Sequence, residues 1–373
     1  MPTTATDRLS EIRTQLKAAF AEREGVIDGL LTALVSRSHI FLLGPPGTGK
    51  SALVNTVVQA VTGATRFKWL MTKFSEPGEL FGPYDLQGLK EGRMERIVTG
   101  KLPTAHVAYL DECFKASGSM LNSLLTIMEE REFDNGTSRI DCPLETLVGS
   151  SNEMPEGPEL GAMYDRMSFR FFVDYIQNQD KLRQVMLGGA PAITASITLD
   201  ELHDLQATAA ALPVPDSVMD AMFAIKADLE GQGIVVSDRS WCNMVNIVRA
   251  RAIVEGFPTV EARHLEAMAD VCWQEPDQRN IVASVIGQRA NPAAAEAVDN
   301  MDCAEEALAS YPEEVSDETC ATATRLRRQV KRILDETEIL LKAAPSNRVQ
   351  NATVRIAAIK REMDRRFNAY AGM

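Results

Sequence analysis

Eight consecutive residues near the N-terminus have the types and the spacing that could hold a chain of phosphate groups. They read Gly44-Pro45-Pro46-Gly47-Thr48-Gly49-Lys50-Ser51. Glycine lacks a Cβ atom, so the backbone can wrap around a phosphate and point its N–H groups inward. A lysine and a serine at the last two positions can contact the β- and γ-phosphates and ligate Mg²⁺. We therefore expect this segment, a P-loop, to form a nucleoside triphosphate site with Mg²⁺ at Ser51.

A pair of carboxylates and an amide follow two later apolar segments. Asp111 and Glu112 come directly after His106–Leu110, and Asn152 follows Leu144–Ser151. The carboxyl ends of parallel strands meet at one edge of a sheet, which is where ligands bind in such folds. Asp111 could hold Mg²⁺ through its water shell, and Glu112 could take a proton from the attacking water or polarise it. The amide of Asn152 could orient that water or touch the γ-phosphate.

Two arginines lie near the predicted edge of the nucleotide domain. Arg166 precedes the apolar run Phe169–Val173, and Arg170 lies within it. A cation at this edge could act on a phosphate group. The alternative is that both are surface residues paired with Asp165 or Asp174, and this segment alone leaves both interpretations open.

The hydrophobic pattern predicts the elements that would position these residues. The apolar run His39–Leu43 predicts a strand that leads into the glycine-rich loop, and residues 52–61 have the pattern of a helix. Further strands are predicted at Phe67–Met71 and Phe169–Val173. Strands that alternate with helices in this way indicate an α/β fold with a parallel sheet.

Two segments are predicted to be insertions into this domain. Residues 74–83 are irregular and glycine-rich, and Arg93–Val98 alternates in the manner of one arm of a hairpin. Glu132–Ile140 contains Asn135-Gly136, which is the signature of a two-residue type I′ turn. Long irregular connections are frequent sites of function.

The rest of the chain is predicted to be mainly helical. Four helical patterns occur at Leu199–Leu212, Pro215–Glu230, Ser237–Glu255 and Val260–Trp273. Such a bundle could act as a lid that reports the nucleotide state. Residues 291–312 are rich in Ala, Asp and Glu and predict a solvated linker or a weak helix. The predicted domains are residues 1–185 for the nucleotide-binding core with its N-terminal helices, 186–288 for the lid, and 289–373 for an acidic linker and a helical extension.

The C-terminal extension has the pattern of an antiparallel helical hairpin that carries many Lys and Arg residues. Apolar residues recur at three- and four-residue steps from Leu326 to Leu341 and from Val349 to Tyr370. One interpretation is a solvated helical pair that packs on the body of the protein or on another subunit. The other is a docking module for an acidic partner.

Composition limits the classes of function. The chain has 373 residues and a formal net charge of −13, which argues against a general binder of nucleic acid or of anionic membranes. There is no apolar run near 18 residues and no export signal, so we expect no membrane span. The six cysteines are scattered and form no C-x-x-C pair, which predicts reduced thiols in a cytoplasmic protein.

The order of these motifs resembles that of the AAA+ ATPases. The sequences of Trp69–Pro77, Phe81–Pro83 and Leu110–Ala116 are similar to those of the MoxR family, and within it to the RavA-like branch. The resemblance covers residues 8–275. It implies an AAA+ P-loop αβα domain with a parallel sheet, followed by an all-α lid domain and, beyond the resemblance, the C-terminal helical hairpin.

The resemblance also implies roles for the motifs of the core. Gly44–Ser51 match the Walker A motif, and Asp111 and Glu112 match Walker B, with ATP and Mg²⁺ as the cofactors. Asn152 matches the sensor 1 asparagine.

Three arginines and two insertions also receive roles from the resemblance. Arg166 falls where the family places an arginine finger that reaches the nucleotide of the neighbouring subunit, and Arg170 is the less favoured candidate. Arg239 falls at the start of the sensor 2 helix, where it would contact the γ-phosphate from the lid. Residues 91–103 match the helix-2 insertion and residues 132–140 the hairpin before sensor 1, which face a pore or a partner in relatives.

The function implied by the resemblance is that of an ATP-hydrolysing motor that works as a homo-hexameric ring. MoxR relatives remodel or mature protein complexes in a chaperone-like way, often with a partner that contains a von Willebrand A domain. Two alternatives remain. A nucleic-acid translocase with a helix-2 insertion would need cations facing the pore, but the hairpin offers only Arg139; Lys90, Arg93, Arg96 and Lys101 on the other insertion keep this alternative open. A nucleotide-gated binding scaffold with little turnover is disfavoured by the presence of Glu112 and Asn152.

Overall fold

The computed structural model describes residues 4–115, 118–155, 157–188, 192–343 and 347–371. Ala116, which ends one of the segments that carry the resemblance, lies outside the described residues. The chain forms two compact units, Met1–Arg279 and Asn280–Met373.

The first unit is built around a parallel sheet. The strands are β1 (Ile40–Leu43), β2 (Val61–Thr62), β3 (Arg66–Leu70), β4 (Val107–Asp111), β5 (Glu132–Asn135), β6 (Ser138–Asp141), β7 (Thr146–Ser151), β8 (Phe169–Phe172) and β9 (Ile197–Thr198). The main sheet has the order β3-β4-β7-β1-β8, and its neighbouring strands are all parallel. The predicted α/β class with a parallel sheet is confirmed.

The described residues also form many helices. They are α1 (Ala5–Ala19), α2 (Glu24–Ser36), α3 (Lys50–Gln59), α4 (Pro77–Phe81), α5 (Leu86–Lys90), α6 (Gly118–Glu129), α7 (Pro158–Arg166), α8 (Gln179–Met186), α9 (Leu199–Ala211), α10 (Asp216–Gly231), α11 (Asp238–Val254), α12 (Arg279–Ala290), α13 (Pro292–Ala309), α14 (Cys320–Ala343) and α15 (Asn347–Ala371). Short 3-10 helices lie at Leu102–Thr104, Cys113–Lys115, Ala262–Asp270 and Pro276–Gln278. The helices after β9 agree with an all-helical lid, and its boundary with the core at residues 185 and 186 stays a prediction.

The register of the sheet brings the ends of three strands together. β1 is buried along its whole length, as expected of an interior strand of a parallel sheet, and its residues Ile40, Phe41, Leu42 and Leu43 are each at most 4% exposed. Leu43 at the end of β1 lies opposite Ser151 of β7, and Asp111 at the end of β4 lies opposite Ser150. The phosphate loop, the acidic pair and the segment that contains Asn152 therefore leave the sheet at one edge.

A buried carboxylate joins three helices of the first unit. Asp28 of α2 is 5% exposed and forms ion pairs with Arg13 and Lys17 of α1 and with Arg251 of α11. Burial alone would raise the pKa of Asp28, but the hydrogen bonds and charges of its partners hold that pKa below its ordinary value. The N-terminal helix is thus fixed to the lid helix α11 through Asp28.

The segment Arg93–Val98, predicted to be one arm of a hairpin, is not a β-strand. Arg93–Val98 forms no strand, and its contribution to a sheet is a single β-bridge between Arg96 and Tyr84. The predicted arm is therefore wrong. Two backbone hydrogen bonds flank the bridge, from Asp85 to the carbonyl of Glu95 and from Ile97 to the carbonyl of Pro83, both at 2.9 Å. The guanidinium of Arg96 adds side-chain contacts, because it lies over the Tyr84 ring at 4.0 Å and donates to the carbonyl of Gly82 at 2.8 Å.

The predicted hairpin exists, but its turn is shifted by one residue. Asn135 pairs with Ser138, so the loop consists of Gly136 and Thr137. Asn135 is not in the loop because its side-chain amide accepts from the backbone N–H of Arg96 at 2.7 Å and donates to the carbonyl of Arg96 at 3.1 Å. A Cβ atom on Gly136 would lie 2.0 Å from the carbonyl oxygen of Met94. The hairpin and the first insertion are therefore clasped together.

The second unit contains three helices that share a core. Residues 292–309, predicted as a solvated linker or a weak helix, form α13, whose Ala304 and Ala307 are buried with residues of α14 and α15. The two C-terminal helices thus pack with a third. Alanine side chains let helix backbones approach closely, which explains why a segment with few large apolar residues belongs to this core. Among the described residues, no helix combines the length and the apolar character that a membrane span requires.

Candidate nucleotide site

The phosphate loop has the backbone conformation that its glycines permit. A Cβ atom on Gly44 would lie 2.1 Å from the carbonyl oxygen of Val173, so the loop can pass the end of β8 only with glycine at this position. Gly49 has a φ of 82° and is the N-cap of α3. The helix therefore starts immediately after the loop, and its free N–H groups and positive dipole end face the same space.

One cavity brings together the motifs that the sequence placed far apart. Its volume is about 380 Å³, and it is lined by Pro46–Ala52, Asp111, Glu112 and Asn152. The loop comes from the end of β1, the two carboxylates from the end of β4 and the amide from the end of β7. All the predicted core residues of the site except Gly44 and Pro45 line this cavity, and those two lie at the base of the loop.

Lys50 is buried at the base of the cavity. Its ammonium group donates to the carbonyl oxygens of Gly44 at 2.7 Å and Pro45 at 2.8 Å. Burial lowers the pKa of Lys50, and the nearby charges of Asp111 and Glu112 partly oppose this. The ammonium group is thus positioned by the loop itself, and a phosphate would supply the full negative charge that carbonyl oxygens lack.

Ser51 and Asp111, the predicted Mg²⁺ ligands, lie within one hydrogen-bonded group. The Ser51 hydroxyl is 3.4 Å from one carboxylate oxygen of Asp111 and 2.9 Å from the Tyr109 hydroxyl. Ser150 donates to the other Asp111 oxygen at 2.6 Å and is 2.8 Å from the Tyr109 hydroxyl. A hydroxyl and a carboxylate are hard oxygen ligands, so this pair fits Mg²⁺, which usually takes one or two protein ligands plus waters and phosphates.

The sequence reasoning missed Tyr109 and Ser150. Strand alternation places residues 109 and 111 on the same face of β4, and this pattern could have identified the tyrosine. The position of Ser150 beside Asp111 requires the strand register. Tyr109 is 3% exposed, and burial raises the pKa of its hydroxyl.

Glu112 has an unusual backbone conformation at the edge of the cavity. Its φ is 54°, in the left-handed region, where a non-glycine residue costs roughly 1–3 kcal/mol. The carboxylate is 3.1 Å from the ammonium group of Lys115. The turn after β4 therefore holds this carboxylate toward the cavity at some conformational cost.

Two of the three arginines with predicted roles, Arg166 and Arg239, line a second cavity. This cavity measures about 240 Å³ and is lined by Arg166, Arg239, Glu129 and Asp165, among others. Arg166 pairs with Glu129 at 2.7 Å, and Arg239 pairs with Asp165 at 2.8 Å and with Glu129 at 3.2 Å. Neither arginine lines the cavity of the phosphate loop. The structure thus brings Arg166 and Arg239 together but does not bring them to the loop of their own chain.

Arg170 is a structural residue. It is fully buried and donates to the carbonyl oxygens of Val271 at 2.6 Å, Trp273 at 3.1 Å and Tyr164 at 3.3 Å. Burial lowers the pKa of its guanidinium. A side chain in this position cannot reach a nucleotide outside its own subunit, so Arg166 is the better candidate for that role.

Two further residues brace the phosphate loop from outside. Arg23 donates to the carbonyl of Thr48 at 3.2 Å and to the carbonyl of Asp174 at 2.6 Å. The Tyr175 hydroxyl donates to the carbonyl of Pro46 at 3.3 Å. No local sequence signal predicts these contacts, because the partners are distant along the chain.

Comparisons with known proteins identify relatives of the chain. The family model of the MoxR domain in the MoxR-vWA-beta-propeller ternary systems matches residues 7–208, and that of an AAA lid domain matches residues 217–286. An uncharacterized protein of Methanocaldococcus jannaschii is 36% identical over 272 residues, which is 72% of each chain.

Two further matches have lower sequence identity. The chaperone MoxR1 of Mycobacterium tuberculosis is 24% identical over 202 residues, which is 52% of each chain. A crystal structure of a candidate ATPase from Cytophaga hutchinsonii has a TM-score of 0.60 and 17% identity, and the match covers 76% of this chain and 94% of that one. The structural match shows a shared fold.

Proposed function

The chain belongs to the MoxR family of AAA+ ATPases, and on this basis we propose that it hydrolyses ATP with Mg²⁺ at the phosphate-loop cavity. The observation that carries the proposal is the convergence of Lys50, Glu112 and Asn152 on one cavity from three separate strand ends. Binding, activation of water and recognition of the γ-phosphate all require groups at this edge.

Each group in the cavity has a separate task in this mechanism. The loop N–H groups and Lys50 bind the phosphate chain, and Ser51 and Asp111 would hold Mg²⁺. A bound Mg²⁺ would supply positive charge that neutralises the phosphates. Glu112 accepts a proton from the attacking water, and Asn152 orients that water against the γ-phosphate.

The second cavity supports action between subunits. Arg166 and Arg239 share Glu129 and lie away from the loop of their own chain, so we propose that both act on the nucleotide of a neighbouring subunit. Such a contact between unlike surfaces closes into a ring, for which we propose a homo-hexamer. For Arg239 this differs from the role implied by the resemblance, in which the lid of the same subunit presents it.

The energy of hydrolysis is proposed to remodel or mature protein complexes in the cytoplasm. The MoxR domain that matches is named for ternary systems with a vWA protein and a beta-propeller, which favours a von Willebrand A-domain partner. The RavA-like branch stays a prediction.

The charges of the insertions do not favour the nucleic-acid translocase. Arg139 of the hairpin pairs with Glu132 at 2.9 Å and with Asp134 at 3.0 Å. In the other insertion, Arg93 pairs with Glu91, and the Lys101 ammonium donates to the carbonyl of Glu79 at 2.9 Å. The acidic partners lower the net positive charge of the insertions, which weakens their attraction for the phosphates of a nucleic acid.

Two substitutions separate binding from hydrolysis. Lys50→Ala should abolish ATP binding, because it removes the charge that the loop directs at the phosphates. Glu112→Gln should keep binding and slow hydrolysis about 10²–10⁴-fold, the usual contribution of a general base. Calorimetry measures the first effect and phosphate release the second, with the exposed Glu318→Gln as the control. Normal turnover in Glu112→Gln would remove Glu112 from the mechanism.

A further inference from the structure

We propose that Tyr109 and Ser150 orient the two Mg²⁺ ligands, Ser51 and Asp111, and thereby set the affinity of the site for the divalent cation. This inference rests on the proposed ATPase function and assigns a role to two side chains that do not contact the nucleotide. It concerns the positions of hydroxyl hydrogens, which decide which lone pairs are free for a cation.

The four side chains form a closed ring of short contacts. The Tyr109 hydroxyl is 2.9 Å from the Ser51 hydroxyl and 2.8 Å from the Ser150 hydroxyl. Ser150 donates to one oxygen of Asp111 at 2.6 Å, and Ser51 lies 3.4 Å from the other oxygen. Ser150 is fully buried and Tyr109 is 3% exposed, so water does not compete for these bonds.

The ring permits one arrangement of hydrogens that suits a cation. A hydroxyl that ligates Mg²⁺ directs a lone pair at the ion and must direct its hydrogen elsewhere. Ser51 can donate to Tyr109, Tyr109 to Ser150, and Ser150 to Asp111. The chain then ends on a carboxylate oxygen, where a hydrogen bond to a charged acceptor is strong. A lone pair of Ser51 and the second oxygen of Asp111 remain free on the cavity side.

Packing alone does not explain a tyrosine at this position. β4 is otherwise apolar before Asp111, with Val107, Ala108 and Leu110 buried. A phenylalanine would fill the same space, whereas a buried hydroxyl costs free energy unless it finds partners. Both partners of the Tyr109 hydroxyl lead to a Mg²⁺ ligand. The hydroxyl is therefore explained by the ligands that it connects.

Mg²⁺ is the cation for which this orientation matters most. Mg²⁺ requires near-ideal octahedral geometry and loses its bound water reluctantly. Ligands that point in the wrong direction therefore lower the affinity for Mg²⁺ more than the affinity for Ca²⁺, which accepts variable geometry. Removing a partner that orients a metal ligand typically costs about 10–100-fold in metal affinity.

The test uses Tyr109→Phe and Ser150→Ala in the full-length chain. Binding of a fluorescent ATP analogue is measured in EDTA and in a Mg²⁺ titration, and Mn²⁺ bound with ATP is counted by electron paramagnetic resonance. We expect unchanged nucleotide affinity in EDTA. The Mg²⁺ concentration that gives half of the maximal effect on binding of the ATP analogue should rise about 10–100-fold in each variant.

A matched control and a double variant sharpen the test. Tyr311→Phe removes a hydroxyl from another buried tyrosine, which donates to the carbonyl of Met363 in the second unit, and it should leave the metal titration unchanged. The double variant Tyr109→Phe/Ser150→Ala should lose little more affinity for Mg²⁺ than the single variant that has the larger loss. The reason is that both hydroxyls act through one chain of hydrogen bonds.

The outcomes separate the inference from the proposed function. If Tyr109→Phe binds Mg²⁺ with the affinity of the wild-type chain, the inference is overturned, whatever the Mg²⁺ affinity of Ser150→Ala. Loss of nucleotide binding in EDTA also overturns it, because the hydroxyls would then support the loop and not the ligands. If nucleotide binding by the wild-type chain does not respond to Mg²⁺ at all, the proposed Mg²⁺-dependent ATPase fails, independently of Tyr109.

Discussion

Mixing inactive variants tests whether Arg166 and Arg239 act between subunits. Arg166→Ala leaves Glu112 intact, and Glu112→Gln leaves both arginines intact. If the arginines act on the neighbour, each homomeric ring is inactive, but a site is restored wherever a good Glu112 faces a good Arg166. Arginine fingers contribute about 10³–10⁵ in turnover and a general base about 10²–10⁴, so the background of each single variant is low.

The geometry of the contact fixes the expected recovery. An active site needs an Arg166→Ala subunit that holds the nucleotide and a Glu112→Gln subunit that donates the arginine. In random mixtures at equal ratio, about one quarter of the head-to-tail contacts meet this condition, whatever the ring size. Recovery should follow the product of the two subunit fractions and be greatest at equal amounts.

The assay is phosphate release from rings that carry two different tags. Sequential purification on both tags verifies that the rings are mixed, and Arg139→Ala, which changes an exposed arginine of the hairpin, provides the control. Arg239→Ala is mixed with Glu112→Gln in the same way. The shared pairing with Glu129 leads us to expect the same recovery for both arginines.

Two results would refute this reasoning. Verified mixed rings without activity would show that Arg166 acts in its own subunit or not at all. Recovery with Arg166→Ala but not with Arg239→Ala would show that Arg239 serves its own nucleotide, as the resemblance to the family implies. The pairing of Arg239 with Glu129 would then describe a resting position.

Three further changes test other parts of the structure. Asp28→Asn leaves Arg13, Lys17 and Arg251 without the carboxylate they share, so it should lower the free energy of unfolding by about 3–5 kcal/mol. Tryptophan fluorescence in urea measures this change, because all three tryptophans lie in the first unit. As a control, Asp134→Asn at an exposed position should change the free energy of unfolding by less than about 0.5 kcal/mol. Burial lowers the pKa of His39 to about 3, so the folded chain resists a proton that the unfolded chain accepts near pH 6.5. Below that pH, His39 should therefore lower the free energy of unfolding by about 1.4 kcal/mol per pH unit. Urea unfolding at several pH values should show that His39→Gln removes this part of the slope and leaves the part due to His106 and His264, whose pKa values burial also lowers. Removing residues 291–373 should leave ATP binding intact in calorimetry, because every residue of the proposed site lies in the first unit; loss of binding would make the second unit part of the nucleotide site.

Some parts of the site could be predicted because their geometry is local. Lys50 bonds within the same loop, to Gly44 and Pro45, so a contiguous motif contains the whole arrangement. Asp111 and Asn152 meet because parallel strands end at one edge of a sheet. The catalytic roles of these residues stay predictions.

Other parts depend on packing that the sequence does not encode locally. The contact of Arg23 with Thr48 and the pairing of Arg239 with Glu129 join elements that only the tertiary fold brings together. The turn at Gly136 was predicted one residue early because Asn135 has a second partner in the other insertion. α13 was ambiguous because alanine gives a weak hydrophobic signal even where it is buried.

The burial of Arg170 has a consequence for how the first unit unfolds. Its guanidinium belongs to β8, yet it is solvated by the carbonyl groups of Val271 and Trp273, about one hundred residues later. Moving the two segments apart would leave the charge of Arg170 without hydrogen-bond partners among apolar side chains. A partly unfolded state in which only one of the segments has moved is therefore high in free energy. β8 and the segment Val271–Trp273 should therefore lose their hydrogen-exchange protection in a single cooperative step.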